Sequence, residues 1–508
     1  MSEPSAPSGA PKVGPPHGSV IVVGGGGQGP EVFAKLIELA GGPDALILDV
    51  PTAGGDSVYP ANWRGQNGLK AAGAKNVFVL HTNKKEVANS DTFVAHIKQA
   101  KGIWYEGGRQ FHLIDSYGGT KAETALVELV TKRGGVASGS SAGASILGSF
   151  FIRGHNSNNN FIMYYPPYPR GFAYLRGVGI DQHVVARERL PDIADSLMNR
   201  FRDTLFISED EGTAWVIQGD IAEIIGRNKA FVYNGKDKTD PGKPFITLHP
   251  GDKYDFAARH VVHRAVDESA VSQQFVDDVF AEFRKPGALQ ATVLVAQNGK
   301  VFIDAAYNVP AQAKYMPETT VPNFALGGLS DALNATLALD AMSASKLKLD
   351  DQLASGATVG EFLAHKKDVP NGNKQLADLI ARNGGGAIAA NANRRIMTPV
   401  GMHKTVVDSA TGLWKSNVDE LYRWELGLNA TKAMTEVGAV NVFAGGLGWT
   451  VDTYQGHPRQ SVFGTSDGKR NAFVRFPDRH AAIIILTNSD QADARALAGK
   501  IADRLLSK

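Results

Sequence analysis

The 508-residue chain contains no cysteine. Disulfides, thiolate nucleophiles and Cys-ligated metals are therefore excluded. It also lacks a charge bias: 53 Lys and Arg against 51 Asp and Glu leave a net charge of +2. Nothing in that balance calls for nucleic acid or an anionic membrane as partner. No apolar run reaches the roughly 20 residues that span a bilayer, so membrane insertion is not expected. Met1–Gly18 is rich in Pro, Ser and Gly and lacks the apolar core of a signal peptide. It reads as a disordered segment. An exported chain whose leader has been removed and a cytosolic terminus both fit it, so the compartment stays open.

A hydrophobic content of 43% with 20% charged residues describes an ordinary globular protein. The length exceeds what one compact core organises, so two or three domains are expected. Apolar strands alternate with helices through the first half. Ser19–Val23, Ala45–Val50, Asn76–Leu80, Gly102–Tyr105, Gly135–Ala137, Gly177–Ile180, Thr204–Ile207 and Thr213–Ile217 read as strands. Helices are expected at Glu31–Ala40, Thr120–Lys132 and Asp192–Arg202. The pattern predicts an α/β fold, a mostly parallel sheet flanked by helices, with its site at the strands' carboxyl ends.

Val136-Ala-Ser-Gly-Ser-Ser-Ala-Gly-Ala144 is the most informative stretch. It places Ser141 in a small-residue turn after an apolar strand and before Ser145-Ile-Leu-Gly148, which can open a helix. That is the layout of a nucleophile elbow. The amide of Ala142 would stand beside the reacting carbon and help stabilise an oxyanion. Gly179-Ile-Asp-Gln-His-Val184 ends a strand with His183, a base able to activate the hydroxyl. Asp181 and Gln182 precede the histidine, and Arg187 and Arg189 follow it. Trp104-Tyr-Glu-Gly-Gly-Arg-Gln110 pairs two glycines, whose amides can face a ligand, with the Gln110 amide.

These motifs together resemble the cyanophycinase and dipeptidase E family of serine peptidases over roughly residues 18–250. The resemblance implies a fold similar to class I glutamine amidotransferases. It implies Ser141 as nucleophile, His183 as base, and Glu211, in Asp210-Glu-Gly-Thr-Ala214, as the acid orienting the histidine. Gly108 and Ala142 would form the oxyanion site. Gln110, Asp181, Gln182, Arg187 and Arg189 fall at substrate-contact positions. The implied reaction is exopeptidase cleavage of cyanophycin, a polyaspartate with arginine side chains, to β-Asp-Arg dipeptides. Two positions depart from the family: Arg109 replaces an asparagine, and Asp192 stands where a third arginine often follows the pair. A related peptidase acting on short Asp-containing or isoaspartyl peptides is the alternative. A non-catalytic binding or scaffold protein is the alternative of another class.

Gly24-Gly-Gly-Gly-Gln-Gly29 fits the G-x-G-x-x-G dinucleotide pattern, with Asp49 twenty residues later. The rigid exit Val50-Pro51-Thr52 and the resemblance favour a different use, with the glycines packing a helix close and shaping one cleft wall. No cofactor and no metal are expected. Asn156–Asn160 and Tyr164-Tyr-Pro-Pro-Tyr-Pro169 read as a loop near the site. One of Tyr164, Tyr165 and Tyr168 could stack on a substrate guanidinium.

The domain limits read as 1–18 disordered, 19–250 peptidase, 251–264 linker and 265–508 second domain. Glu268–Lys285 is expected to be a helix, and Ala291–Gln297 with Val301–Ala306 a hairpin around Asn298-Gly299. Gln460–Gly464, Asn471–Phe476 and Ala481–Thr487 read as antiparallel strands before a helix at Ala492–Leu506. A sheet built from both ends of a segment resembles the α+β fold of serine β-lactamases and penicillin-binding proteins. Lys346–Asp351, Pro399–Met402 and Ile483–Asn488 support that resemblance. Its Ser-x-x-Lys is missing from the start of the core helix: shortly after Phe324-Ala-Leu stands Gly328-Leu-Ser-Asp331. No Tyr-x-Asn stands at the expected place, and Phe463-Gly-Thr465 replaces the usual His/Lys triplet. The second domain is read as non-catalytic. A peptide polymer or dipeptide is the expected partner, and a homodimer the expected assembly.

Overall fold

The computed structural model describes residues 11–507, apart from 158, 286–288, 311–312, 321–322, 431–445, 467–468 and 490. The chain forms two compact units, Met1–Arg264 and Ala265–Lys508.

The first unit is built on β1 (Ser19–Val23), β2 (Ile47–Val50), β3 (Val77–Val79), β4 (Gly102–Tyr105), β5 (Val136–Ser140), β6 (Gly148–Phe150), β7 (Leu175–Gln182), β8 (Leu205–Glu209), β9 (Thr213–Gln218), β10 (Ile221–Gly226), β11 (Ala230–Tyr233), β12 (Phe245–Leu248), β13 (Lys253–Asp255) and β14 (His260–His263). A nine-stranded sheet runs β14-β13-β10-β9-β1-β5-β4-β2-β3. Its β1-β5-β4-β2-β3 half is parallel, and β9, β10, β13 and β14 extend it antiparallel. A separate five-stranded sheet runs β12-β11-β8-β7-β6, with β6, β7 and β8 parallel.

Alternation along each strand decides this layering. Val20, Val22, Leu48 and Ile103 point to one face and share a core with Val178, Ile180, Leu205 and Ile207 of the second sheet. Ile21, Val23, Ile47 and Trp104 point to the other face. There they pack on Val32, Phe33 and Leu36 of the helix Pro30–Leu39. Strands buried on both faces read as continuous apolar runs, which is why the sequence shows them but not their division into two sheets. The expected strands at Gly177–Ile180 and Thr204–Ile207 thus belong to the second sheet.

Two boundaries differ from expectation. Residues 251–264 are not a linker, because β13 and β14 pair with each other and with β10. Residues 11–18 are not loose either. The amides of Lys12, Val13 and Gly14 all donate to the Asp220 carboxylate, at 2.8, 2.7 and 3.1 Å. The two oxygens of a single carboxylate satisfy three backbone donors there and pin the segment. Residues 1–10 lie outside the described residues.

The second unit holds a six-stranded antiparallel sheet in the spatial order Lys300–Tyr307, Ala291–Gln297, Ala481–Thr487, Lys469–Phe476, His457–Ser466, Thr450–Tyr454. Both ends of the segment supply strands, as expected. Asn298 and Gly299 turn the hairpin with φ of 52° and 76°, the left-handed pair that a type I′ turn requires. The expected helix Glu268–Lys285 is broken into Ala265–Glu268, Gln273–Val279 and Ala281–Arg284. Ser272 restarts it, its hydroxyl accepting from the Phe275 amide at 3.2 Å. Ser330–Ser343 is a helix buried along most of its length.

Candidate active site

Ser141 stands between the end of β5 and a one-turn helix, Ala142–Ser145. The helix therefore opens at Ala142, earlier than the sequence suggested. Ser141 has φ 58° and ψ −114°, outside the regions that non-glycine residues ordinarily occupy. Such strain costs on the order of 1–3 kcal/mol and persists only where the surroundings impose it. Here the Ser141 amide is tied to the Val23 carbonyl at 3.0 Å, while its own carbonyl accepts from the amides of Ala144 and Ser145.

His183 follows β7 directly and also has a positive φ, 58°. Its Nε2 lies 2.8 Å from Ser141 Oγ and its Nδ1 2.5 Å from Glu211 Oε1. The hydroxyl, the imidazole and the carboxylate thus meet in one line from three distant segments. The backbone around them is also held. His183 N donates to the Gly24 carbonyl at 3.0 Å, and the Asp210 carboxylate accepts from the amides of Val185 and Ala186 at 3.0 and 2.8 Å.

The glycine-rich turn after β1 is consumed by this arrangement. A Cβ at Gly25 would fall 2.1 Å from His183 Cε1, and one at Gly26 would fall 2.4 Å from Glu211 Oε2. These glycines exist so that backbone can lie against the imidazole and the carboxylate. Asp49, the acidic partner in the dinucleotide reading, is fully buried at the end of β2. Burial first, then the charge of neighbouring Glu106, push its carboxyl up to about 9. A neutral, inaccessible acid is not a ribose receptor.

The Gly107-Gly108 turn reaches the nucleophile. A Cβ at residue 107 would stand 3.3 Å from Ser141 Cβ. Ala142 is the first residue of its helix, so its amide has no intrahelical acceptor and is available to an oxyanion. Gly108 has φ 141°, and the next amide, of Arg109, is fixed on the Ala53 carbonyl at 2.7 Å.

The expected substrate contacts divide. Arg187 is exposed and Arg189 largely buried. Burial pulls the Arg189 guanidinium down to about 10, against the opposing charge of Asp181. Asp181 has no exposed surface. Its oxygens accept from Arg153 Nε and Nη2 at 3.0 Å each, and Arg189 Nη1 is 3.7 Å away. Burial works to raise the Asp181 carboxyl, but Arg153 and then Arg189 hold it below its ordinary value. Asp181 therefore orients arginines rather than reaching into solvent. Gln110 donates to the Ile152 carbonyl at 2.9 Å, and Gln182 donates to Ser145 Oγ at 3.1 Å. Both are buried, which places them in the wall behind the elbow.

Sequence reasoning missed Arg153 and Gln28. Arg153, at φ 57°, bridges Asp181 and Asp192. No motif surrounds it, so only the fold reveals it. Gln28 Nε2 donates to Ser140 Oγ at 2.7 Å, beside the nucleophile. Its signal was its place within the glycine turn. The tyrosines at 164 and 168 already have partners outside the loop. Arg200 lies over the Tyr164 ring at 5.1 Å, and Tyr168 Oη donates to Asp115 at 2.8 Å. Asn158 lies outside the described residues.

A hydroxyl in a strained elbow, a histidine on it and a carboxylate behind the histidine define a serine-type peptidase. Residues 20–225 match the model of peptidase family S51. A cyanophycinase from Geminocystis herdmanii is 28% identical over 226 residues, covering 43% of this chain and 81% of that protein. A peptidase from an acI-B1 Actinobacterium, known as a crystal structure, is 26% identical. It covers 47% of this chain and 97% of its own, with a TM-score of 0.39. A β-lactamase from Sulfitobacter sp. EE-36 is similar at 16% identity and a TM-score of 0.40, covering 48% of this chain and all of its own.

Proposed function

We propose that the first unit is an exopeptidase that cleaves cyanophycin to β-Asp-Arg dipeptides through an acyl-enzyme on Ser141. The single observation carrying this is His183 bridging Ser141 Oγ and Glu211. His183 takes the hydroxyl proton as Ser141 attacks the scissile carbonyl, and Glu211 holds the imidazole and stabilises its cation. The amides of Gly108 and Ala142 receive the oxyanion. His183 then protonates the leaving amine, and a water it deprotonates releases the product.

Arg187 and Arg189 receive free carboxylates of the polyaspartate, for which a guanidinium offers a two-pronged match. A desolvated arginine such as Arg189 gains most from an anionic ligand. Gln110, Gln182 and Asp181 fix the wall that carries these groups. The relationship to a cyanophycinase supports the polymer as substrate.

A second reading, cleavage of short Asp-containing or isoaspartyl peptides, is favoured by Asp192. It puts a carboxylate on Arg153 where a third arginine would otherwise stand. Fewer substrate carboxylates would then be bound. Residues 265–508 take no part in the chemistry under either reading, and the chain is taken as a homodimer, which sedimentation analysis would check. Incubating wild type and Ser141→Ala with insoluble cyanophycin, and separately with β-aspartyl dipeptides, decides between the substrates. Solubilised β-Asp-Arg from wild type alone supports the first reading. Hydrolysis of dipeptides with untouched polymer supports the second, and hydrolysis by neither protein overturns both.

A further inference from the structure

The second unit contains a cavity of about 530 Å³ at the start of its buried helix. That volume falls in the range of small-molecule sites. Its walls include the apolar side chains of Phe362, Val369 and Leu413, and the carboxylate of Asp331. The first two apolar groups are buried.

Asp331 is held by a relay reaching into the core. Trp414 Nε1 donates to Asn334 Oδ1 at 2.8 Å, and Asn334 Nδ2 donates to Asn373 Oδ1 at 2.6 Å. Asn373 Nδ2 then donates to Asp331 Oδ1 at 2.8 Å. Each amide spends its oxygen inward and its N–H outward, so the relay has one direction and ends on the carboxylate. Asn334 and Trp414 have no exposed surface, which fixes the geometry. The other oxygen, Oδ2, lies 3.9 Å from His365 Nδ1, beyond hydrogen-bond distance.

A carboxylate presented this way, its side chain only 16% exposed and one oxygen without a close donor, suits a ligand that brings donors and positive charge. Burial raises the Asp331 carboxyl above its ordinary range, against the Asn373 hydrogen bond and then the charge of His365, and a bound cation would relieve that cost. Lys367 and Asp368 also line the cavity, are both exposed, and offset one another. A metal ion is a poorer fit, because the described residues hold no cluster of three His, Asp or Glu ligands.

We propose that this cavity is a binding site for a small alkylguanidinium or alkylammonium ligand, with Asp331 as the charge receptor and Phe362, Val369 and Leu413 covering the aliphatic stem. The site does not depend on the peptidase reading, although the product suggested there carries such a group.

The test is titration calorimetry on the full chain with n-butylguanidine, which has a guanidinium as its one charge and no carboxylate for Arg187 and Arg189. Its neutral urea isostere, n-butylurea, serves as control. One butylguanidine is expected per chain, with the isostere bound at least about tenfold more weakly, the effect of one charge-assisted hydrogen bond. Asp331→Asn and Thr411→Trp, the latter filling the cavity from an exposed position, should each weaken butylguanidine by a similar factor. Thr411→Trp decides the matter if Asp331→Asn fails to fold. The proposal is overturned by absence of binding at millimolar butylguanidine, by equal affinity for the isostere, or by unchanged affinity in the folded variants. Unchanged affinity in Ser141→Ala is expected, and loss of binding there would place butylguanidine in the peptidase site and likewise overturn it.

Discussion

Both units set a serine beside the start of a helix, and the two serines have opposite fates. Ser141 is half-buried, strained and 2.8 Å from an imidazole. Ser330 has no exposed surface, and its hydroxyl accepts from the Trp414 amide at 3.0 Å. Where the sequence resemblance looked for a serine and a lysine, this chain has Gly328 and Asp331. Nucleophilicity is a property of the surroundings: a hydroxyl needs a base, an approach path and an oxyanion receptor. The first unit places an imidazole on its hydroxyl. The second has at its helix terminus a cavity with an acidic wall.

The largest expected effect breaks that comparison directly. Ser141→Ala should lower the peptidase kcat by about four to six orders of magnitude. Ser330→Ala should leave kcat unchanged and lower stability by about 1–3 kcal/mol, because the Trp414 amide loses its buried acceptor. Steady-state kinetics and chemical denaturation on both variants read these outcomes. Equal kinetic losses would mean that the chemistry does not belong to the first unit alone.

An intermediate effect is expected at the glycines. Gly25→Ala drives a methyl into His183 and should cost about a hundredfold in kcat, the usual result of misplacing a reacting group by about an ångström. Gly356→Ala in the second unit has open space around its Cβ and a φ of 80°. It should cost only about 1–2 kcal/mol of stability, with no kinetic change.

The smallest effect separates two buried carboxyls within the first unit. Asp49 has a raised folded value, about 9, against 3.8 for the free side chain. It favours the folded state while protonated, and that contribution is lost as pH rises from about 4 towards 9. Asp49→Asn should therefore raise the melting temperature most near pH 9 and least near pH 4. Asp181 is depressed below 3.8 by its arginines. Its contribution is present above that value and lost as pH falls through the folded value. Asp181→Asn should show its full deficit at neutral pH and a shrinking one in acid. Melting curves across pH 3–9 check both signs, and parallel profiles for the two variants would refute the assignment.

Most strands as far as β9, the Ser141 elbow and His183 were legible because each leaves a local mark. A buried strand is an apolar run, an elbow is a cluster of small residues, and His183 sits in a short polar motif, whereas Glu211 was named only through the family resemblance and β10 to β14 went unread. Arg153 left none, since its partners Asp181 and Asp192 lie far along the chain and an isolated arginine is usually a solvated side chain. The division into two sheets was hidden for a related reason. Strands buried on both faces show no alternation, so β7 and β8 read the same whether they extend the first sheet or form a second. The segments at 11–18 and 251–264 were misjudged because their anchors, Asp220 and the edge of β10, are remote hydrogen-bond partners rather than neighbours in sequence.

The sequence by itself determined the chemistry available: no thiol, a hydroxyl in a turn too tight for large side chains, an imidazole, a carboxylate, and a second region with Asp331 where a lysine was sought. Tertiary structure alone decided which of these groups touch. It set the glycine turn against His183 rather than around a nucleotide, put Asp181 behind its arginines, and led the relay from Trp414 to Asp331. The physical reason is distance. Propensity and pattern act over a few residues, whereas burial, charge pairing and hydrogen bonding act between any atoms that the packed chain brings within a few ångströms.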